Sequence, residues 1–356
     1  MAIIAVSQLR SGEKLLEDVV TERGNVLLQK GTRLTPREIE ILKAFMIRNV
    51  EAEPVDGQPV GASEGQAEEP VQIVRPAFNK VYDEMIQLLR KVFMNATPGI
   101  PLPILEVRTK LERLIEAAVD YKPLTFKPRN YQKEDYLYHN SILVALTCYQ
   151  FAMWYGLPRK DWLQVSMGGL LHDIGSLSID QQILRKPGKL GSHEMDEIRR
   201  HTIIGYNILK HAPGINDGVK FCALQHHERE DGSGYPLGVK GDKIHYYAKM
   251  VAIADVFHAM TANRFHKSKI SPYLALEKLH DESFGKLEPT MVQTFIQKST
   301  QIQNGSIVRL NNHATGEIVF FDPKHPTRPW VKVNGTIINL TTQRDLYIQE
   351  VIKIKK

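Results

Sequence analysis

Between Phe78 and Ser299 the apolar residues of this chain mainly return at intervals of three and four, the spacing of helices. "FNKVYDEMIQLLRKVF" and "ILEVRTKLERLIEAAV" each carry an apolar stripe at helical spacing, and Pro101 and Pro103 break the pattern between them. The same reading predicts helices at Tyr136 to Tyr155, Trp162 to His172, Ser192 to Leu209, Gly218 to His227, Tyr247 to Ala262, Ser271 to Leu279 and Pro289 to Gln297. Helices with one apolar stripe must bury it against each other, so the expected fold is mainly α, an all-helical bundle core.

The flanks have other textures. "GNVLLQKGTRL", Gly24 to Leu34, reads as strand and turn, and Thr35, Pro36 and Glu38 then fall at N-cap, N1 and N3 of a helix from Pro36 to Met46. A small α+β module over 1–50 is expected. No aromatic residue, Lys or Arg occurs between Arg48 and Arg75, and from Glu51 the chain is rich in Pro, Gly, Ala and acid. Such a segment cannot bury enough apolar surface to offset its ordering entropy, so 51–72 is expected to be an acidic, flexible linker. The helical domain is expected over 73–300. After Asn304–Gly305 the pattern alternates, in "SIVRL", "EIVFF" and "WVKVNGTIINL", and Asn334–Gly335 signals a two-residue hairpin. A small β unit over 301–356 follows.

At 356 residues the chain can build a sizeable core without crosslinks, and its two cysteines, Cys148 and Cys222, sit inside apolar stretches. That usage suits a reducing compartment, and a cytoplasmic location is expected. The apolar start from Ala2 to Val6 runs into Ser7, Arg10 and Glu13, unlike a secretory segment. The least charged run, Ile142 to Leu157, is shorter than the roughly 20 residues that span a bilayer and reads as a buried core helix. A net charge of +6 is modest for this length; it argues against a DNA-binding face and suits a small anionic ligand.

The helical region concentrates ligand-type side chains: His172–Asp173, His201, His226–His227 and Asp255. Imidazole and carboxylate without thiolate suit Fe, Mn, Ni, Co or Zn, and less well Mg. Helical neighbours point about 100° apart, so each doublet can serve one centre only at a helix end or between converging helices. A metal pair sharing Asp173 would neutralise both the attacking and the leaving oxygen of a phosphodiester in line, which makes His172 and Asp173 the candidate catalytic residues. "HHEREDGSGYPLGVKG", His226 to Gly241, adds a glycine-rich loop: its glycines permit close approach to a ligand, and Tyr235 offers a ring for a base and a hydroxyl for a phosphate.

Together, "LLHDIGSLSIDQQILRKPGKL", "IRRHTIIGYNIL", "HHEREDGSGYPLGVKGDKI" and "VAIADVFHAMTANR" resemble the HD-GYP domain of bacterial cyclic di-GMP phosphodiesterases in order and spacing. The resemblance runs from about Asp135 to Arg264, and with supporting helices from about Ile73 to Thr300. It implies an HD-type helix bundle, two divalent metal ions, commonly Fe or Mn, and hydrolysis of cyclic di-GMP to pGpG or GMP. Carried over residue by residue, it implies metal ligands at His172, Asp173, His201, His226, His227 and Asp255, and ligand contacts at Gly234, Tyr235, Pro236, Ser176 and Arg264. Arginine suits phosphate and guanine alike, through its fork of donors and its flat face. As partners it implies cyclic di-GMP and leaves open a diguanylate cyclase (GGDEF) protein and a homodimer.

Several positions depart from the family pattern. Tyr136, Asn140, Ser141, Val144 and Ala145 align with its Tyr-x-x-x-His-Ser-x-x-Val-Ala start, so Asn140 stands where a ligand histidine is expected. His139 lies one residue early and could substitute only from a locally distorted helix. Ser176 replaces a lysine expected to hold a phosphate, His258 replaces an aspartate, and Arg264–Phe265–His266 stands for Arg-Pro-Tyr. Three readings remain open on these residues: a working phosphodiesterase, with one of its two metals bound weakly; a degenerate domain that binds cyclic di-GMP or a diguanylate cyclase without hydrolysis; and a phosphohydrolase that has moved to another nucleotide.

Overall fold

The computed structural model describes residues 2–6, 9, 11–20, 26–44, 47, 49–53, 76–129, 131–186, 188–264, 268–301 and 304–353. They form two compact units, Met1–Val71 and Gln72–Lys356.

The first unit holds strands β1 (Ala2–Ala5), β2 (Lys14–Leu15), β3 (Val19–Val20) and β4 (Val26–Leu28), helix α1 (Pro36–Ala44) and strand β5 (Asn49–Glu53). β5 lies between β1 and β2 in one antiparallel sheet, and β3 pairs with β4. Leu15, Leu34, Leu42, Val50 and Ala52 pack as its core. The start of α1 follows from its sequence: the Thr35 N–H donates to the Glu38 carboxylate at 3.0 Å, and the Thr35 hydroxyl accepts from the Arg37 N–H at 3.3 Å. Glu51 to Glu53, expected in the linker, belong to β5 instead, because pairing with β1 on one side satisfies their backbone and Ala52 is buried. The rest of the expected linker, 54–72, lies outside the described residues.

The second unit is helical up to residue 299. Its helices are α2 (Pro76–Met94), α3 (Ile104–Ala117), α4 (Tyr136–Trp154), α5 (Arg159–Leu171), α6 (Gln181–Leu184), α7 (Ser192–Leu209), α8 (Asp217–Gln225), α9 (Tyr246–Thr261), α10 (Pro272–Glu282) and α11 (Pro289–Ser299). The fold is mainly α, as the periodicity predicts. α4, the uncharged run, is buried on nearly every face: α5 and α9 pack on it directly, α8 packs on α5 and α9, and α7 packs on α8. No described helix is long and apolar enough to cross a membrane. Both cysteines are free and fully buried.

Strands β6 (Ile307–Leu310), β7 (Thr315–Phe320), β8 (Trp330–Val333), β9 (Thr336–Asn339) and β10 (Ile348–Lys353) form an antiparallel sheet in the order β10-β6-β7-β8-β9. Asn334 and Gly335 both take positive φ, 47° and 84°, as the tight β8–β9 turn requires. The change of texture after residue 300 marks no gap in packing. Val308, Leu310, Ile318, Val331 and Ile348 share one core with Phe151, Tyr273, Leu276 and Phe295 of the helices. Arg328 clamps sheet to helix through a two-pronged bond to Glu277 of α10, at 2.5 and 2.6 Å.

Candidate metal centre

Both doublets sit at helix ends. His172 follows the last residue of α5 and His226 the last of α8, so the chain turns there and the paired side chains converge. His201 comes from the buried face of α7, Asp255 from α9 and Asn140 from α4. Gly175 and Gly205 let the turn after Asp173 press onto α7: a side chain at 175 would overlap the His201 carbonyl and the Gly205 amide. That close approach brings His201 Nε2 to 3.2 Å from Asp173 Oδ1.

The geometry has two halves that meet at Asp173. In one, Asp173, His201, His226 and His227 each offer a ligand atom, all within 4.8 Å of one another. His201 Nε2 and His226 Nε2 are 3.4 Å apart. In the other half, His172 Nε2 lies 3.3 Å from Asp173 Oδ2 and 3.5 Å from Asp255 Oδ1, and it is buried without a hydrogen-bond partner among the described residues. Asn140 Nδ2 donates to Asp255 Oδ1 at 2.8 Å, while Asn140 Oδ1 is buried and likewise unpartnered.

Backbone carbonyls select the imidazole tautomers. Nδ1 of His172, His201 and His226 lies 2.7, 2.6 and 2.8 Å from the carbonyls of Gly169, Ile198 and Cys222. Each Nδ1 therefore carries its proton, and Nε2 is left as the atom facing the centre. Unpartnered buried acceptors, two carboxylates and oriented imidazoles make a donor set that fits a divalent transition metal.

Electrostatics agree with that fit. Burial pulls the His172 pKa down, but Asp173 and Asp255 outweigh it and hold the imidazolium well above the usual range. Burial pushes Asp173 up, yet His172 and His201 keep it ionised to well below the ordinary carboxylate range. Burial and the neighbouring His172 charge bring His226 down to about 3, and burial with His226 and His201 depresses His227. The two carboxylates therefore favour positive charge beside them, which a divalent ion would also supply.

The glycine-rich loop folds over this centre. The Tyr235 ring stacks on His227, with centroids 4.6 Å apart and planes at 27°, and Arg199 of α7 stands 5.4 Å from its centroid. A side chain at Gly234 would collide with the backbone of His227 to Arg229. Pro236 follows Tyr235 through a cis bond. Glu228, which sequence reasoning overlooked, anchors the loop: it is 2% exposed and its carboxylate accepts the Leu237 and Val239 N–H groups at 2.7 and 3.2 Å. The sequence signal was an acid directly after the His-His doublet.

Other candidates fall differently. His139 points away from the cluster, with Nδ1 3.0 Å from the Tyr82 hydroxyl of α2. The helical rotation that turns Asn140 toward Asp255 turns its neighbour out. Ser176, expected to meet the ligand, is buried and donates its hydroxyl to Asp173 Oδ1 at 3.3 Å, because the tight turn after the doublet folds its side chain back. His258 lies behind Asp255, bonded to Thr147 at 2.7 Å. Arg264 stands 5.6 Å from the Tyr136 ring centroid, and its Nε is buried without a partner among the described residues. Phe265 and His266 lie outside the described residues.

Residues 112–291 match a family model described as HD domain. The chain is 31% identical over 200 residues to a cyclic di-GMP phosphodiesterase of Pseudomonas aeruginosa, covering 56% of this chain and 48% of the relative. It is 37% identical over 150 residues to a cyclic di-GMP phosphodiesterase response regulator of Xanthomonas campestris, covering 42% and 39%. A 3'3'-cGAMP-specific phosphodiesterase of Vibrio cholerae is 35% identical over 155 residues, covering 43% and 30%. The chain spans about half or less of the length of these relatives.

Proposed function

Because the chain belongs to the HD domain family, and to its HD-GYP branch, we propose that it is a metal-dependent phosphodiesterase acting on cyclic di-GMP, with pGpG or GMP as product. The observation that carries this reading is the four-residue group of Asp173, His201, His226 and His227 beneath the Tyr235 loop. The proposed cofactor is a pair of divalent ions, Fe or Mn, filled unequally. The first would be held by those four residues, and the second by His172, Asp173 and Asp255 with the Asn140 amide oxygen.

Divalent ions at these residues would supply Lewis-acid charge for a phosphodiester and a nucleophile near neutral pH. The chain's own residues do the rest. Asp173 is shared between the halves and fixes their separation. The carbonyls of Gly169, Ile198 and Cys222 keep three imidazoles in the tautomer that presents Nε2. Glu228 holds the Leu237 to Val239 segment and with it the loop whose Tyr235 ring stacks on His227. Arg264, with an unpartnered buried donor, supplies a fork for a phosphate oxygen or a guanine edge. The free buried thiols suit a cytoplasmic setting.

A second reading is favoured by Asn140. Its Nδ2 donates to Asp255 Oδ1 at 2.8 Å, so a neutral amide occupies one carboxylate oxygen of this half. If this half holds no cation, the protein is a receptor for cyclic di-GMP, or a docking module for a diguanylate cyclase, built on the same scaffold. The test is turnover of cyclic di-GMP by protein purified anaerobically and reloaded with Fe(II) or Mn(II), with products separated by chromatography. Metal-dependent pGpG or GMP is the expected result. Binding without product selects the receptor, and faster turnover of 3'3'-cGAMP moves the substrate assignment to that dinucleotide.

A further inference from the structure

His139 is buried and turned away from the candidate metal cluster, and its surroundings lead to Arg264 by another route. Its ring lies parallel to Tyr82, with centroids 5.8 Å apart and planes at 24°, and it bonds the Tyr82 hydroxyl. It also meets the Tyr131 ring at 5.2 Å. Tyr131 in turn donates its hydroxyl to the Asn263 carbonyl at 2.5 Å, across 132 positions of sequence. Asn263 is held a second time, because its Oδ1 accepts the Lys269 N–H at 3.1 Å. The next residue is Arg264.

The Arg264 guanidinium faces the Tyr136 ring, one helical turn before Asn140 on α4. Burial and Asp255 push the Tyr136 hydroxyl up while Arg264 opposes them, so this ring feels both the guanidinium and the acid of the centre. Arginine has a long, rotor-rich side chain, and its ordering cost at binding falls when the backbone that carries it is already fixed. The Asn263 peptide is the adjoining piece of that backbone, and Tyr131 is what bonds its carbonyl.

We propose that Tyr131, backed by the His139 ring, is a positioning residue that fixes the Asn263–Arg264 backbone from which the guanidinium reaches the ligand's phosphate or guanine. The inference rests on Arg264 as a ligand-binding residue. It gives His139 and Tyr131 a task in recognition and none in metal binding.

Tyr131→Phe tests it, since that change keeps the ring against His139 and deletes only the hydroxyl. The affinity of metal-loaded protein for cyclic di-GMP is measured by calorimetry, with kcat, KM and metal content alongside. Tyr131→Phe weakens binding about three- to tenfold, the scale of one lost hydrogen bond, and leaves kcat and metal content unchanged. In an Arg264→Gln background the same change adds no further loss, because the two residues act through one contact. The proposal is overturned if Arg264→Gln weakens binding while Tyr131→Phe does not, or if the two losses multiply. If Arg264→Gln itself leaves affinity intact, the role given to Arg264 fails and the inference falls with it; wild-type protein that binds no cyclic di-GMP overturns the proposed function instead.

Discussion

The two halves of the candidate metal centre share Asp173 and differ in the side chains they bring together. On the His201 side three imidazoles and one carboxylate oxygen converge within 4.8 Å. On the Asn140 side two carboxylates face each other across His172, and a primary amide has already taken one carboxylate oxygen. A neutral amide neither matches an imidazole's donation nor a carboxylate's charge. The contrast teaches that the ligand set of one half can vary while the other is kept, because the His201 half draws on α7 and α8 and the Asn140 half on α4 and α9, with the end of α5 common to both.

The comparison breaks most readily by removing one residue from each half. His201→Ala should lower the affinity for the first Mn(II) ion by at least about a hundredfold, whereas Asn140→Ala should leave it within about threefold, as read by calorimetric titration. Equal losses would mean that the halves do not fill independently. Asn140→His sharpens the contrast from the other direction: affinity for the second ion should rise about tenfold, and spin coupling between paired Mn(II) ions should appear at lower metal concentration. A titration unchanged by that substitution would show that the amide is no weaker a donor here than imidazole.

The smallest expected effect comes from behind the Asn140 half, where burial depresses His258 to about 3. An unfolded chain protonates this histidine near 6.5, so between about 6.5 and 3 the unfolded state binds more protons than the folded one. Stability therefore rises with pH across that window and is lost as pH falls, by up to about tenfold in the folding equilibrium per pH unit. His258→Gln keeps a polar partner for Thr147 but does not titrate. Metal-free His258→Gln protein should show a smaller drop in urea midpoint between pH 7 and pH 4 than the parent, and an identical drop would assign the acid sensitivity to the cluster histidines alone.

Much of this was legible in the residues, for definite reasons. α7 was readable because Ile198, Thr202, Gly205 and Leu209, small or apolar, return at intervals of three and four, and the β8–β9 turn because Asn-Gly accepts positive φ at both places. α6 was not, since four residues are too few to show a period. The His-Asp and His-His doublets announced a centre, and the 100° step of a helix separated Asn140 from His139. Long-range partners stayed hidden: the Glu277–Arg328 clamp, the Glu228 bonds to its own loop and the Tyr131–Asn263 bond join positions that no local pattern connects. The Ser176 bond to Asp173 stayed hidden too, because the resemblance only sets this residue where a phosphate-holding lysine is expected and says nothing of the turn that folds its side chain back.

Gly175, pressed against the His201 carbonyl and the Gly205 amide, bears on what can be rebuilt in this protein. Side chains such as those at 140 and 176 can be exchanged in place, since they hang from the frame. The contact at 175 is the frame itself, and it contains no chemistry to lose. An engineer who strips every ligand from the cluster would still hold an empty mould with the spacing of the original, ready to be recast for another ion.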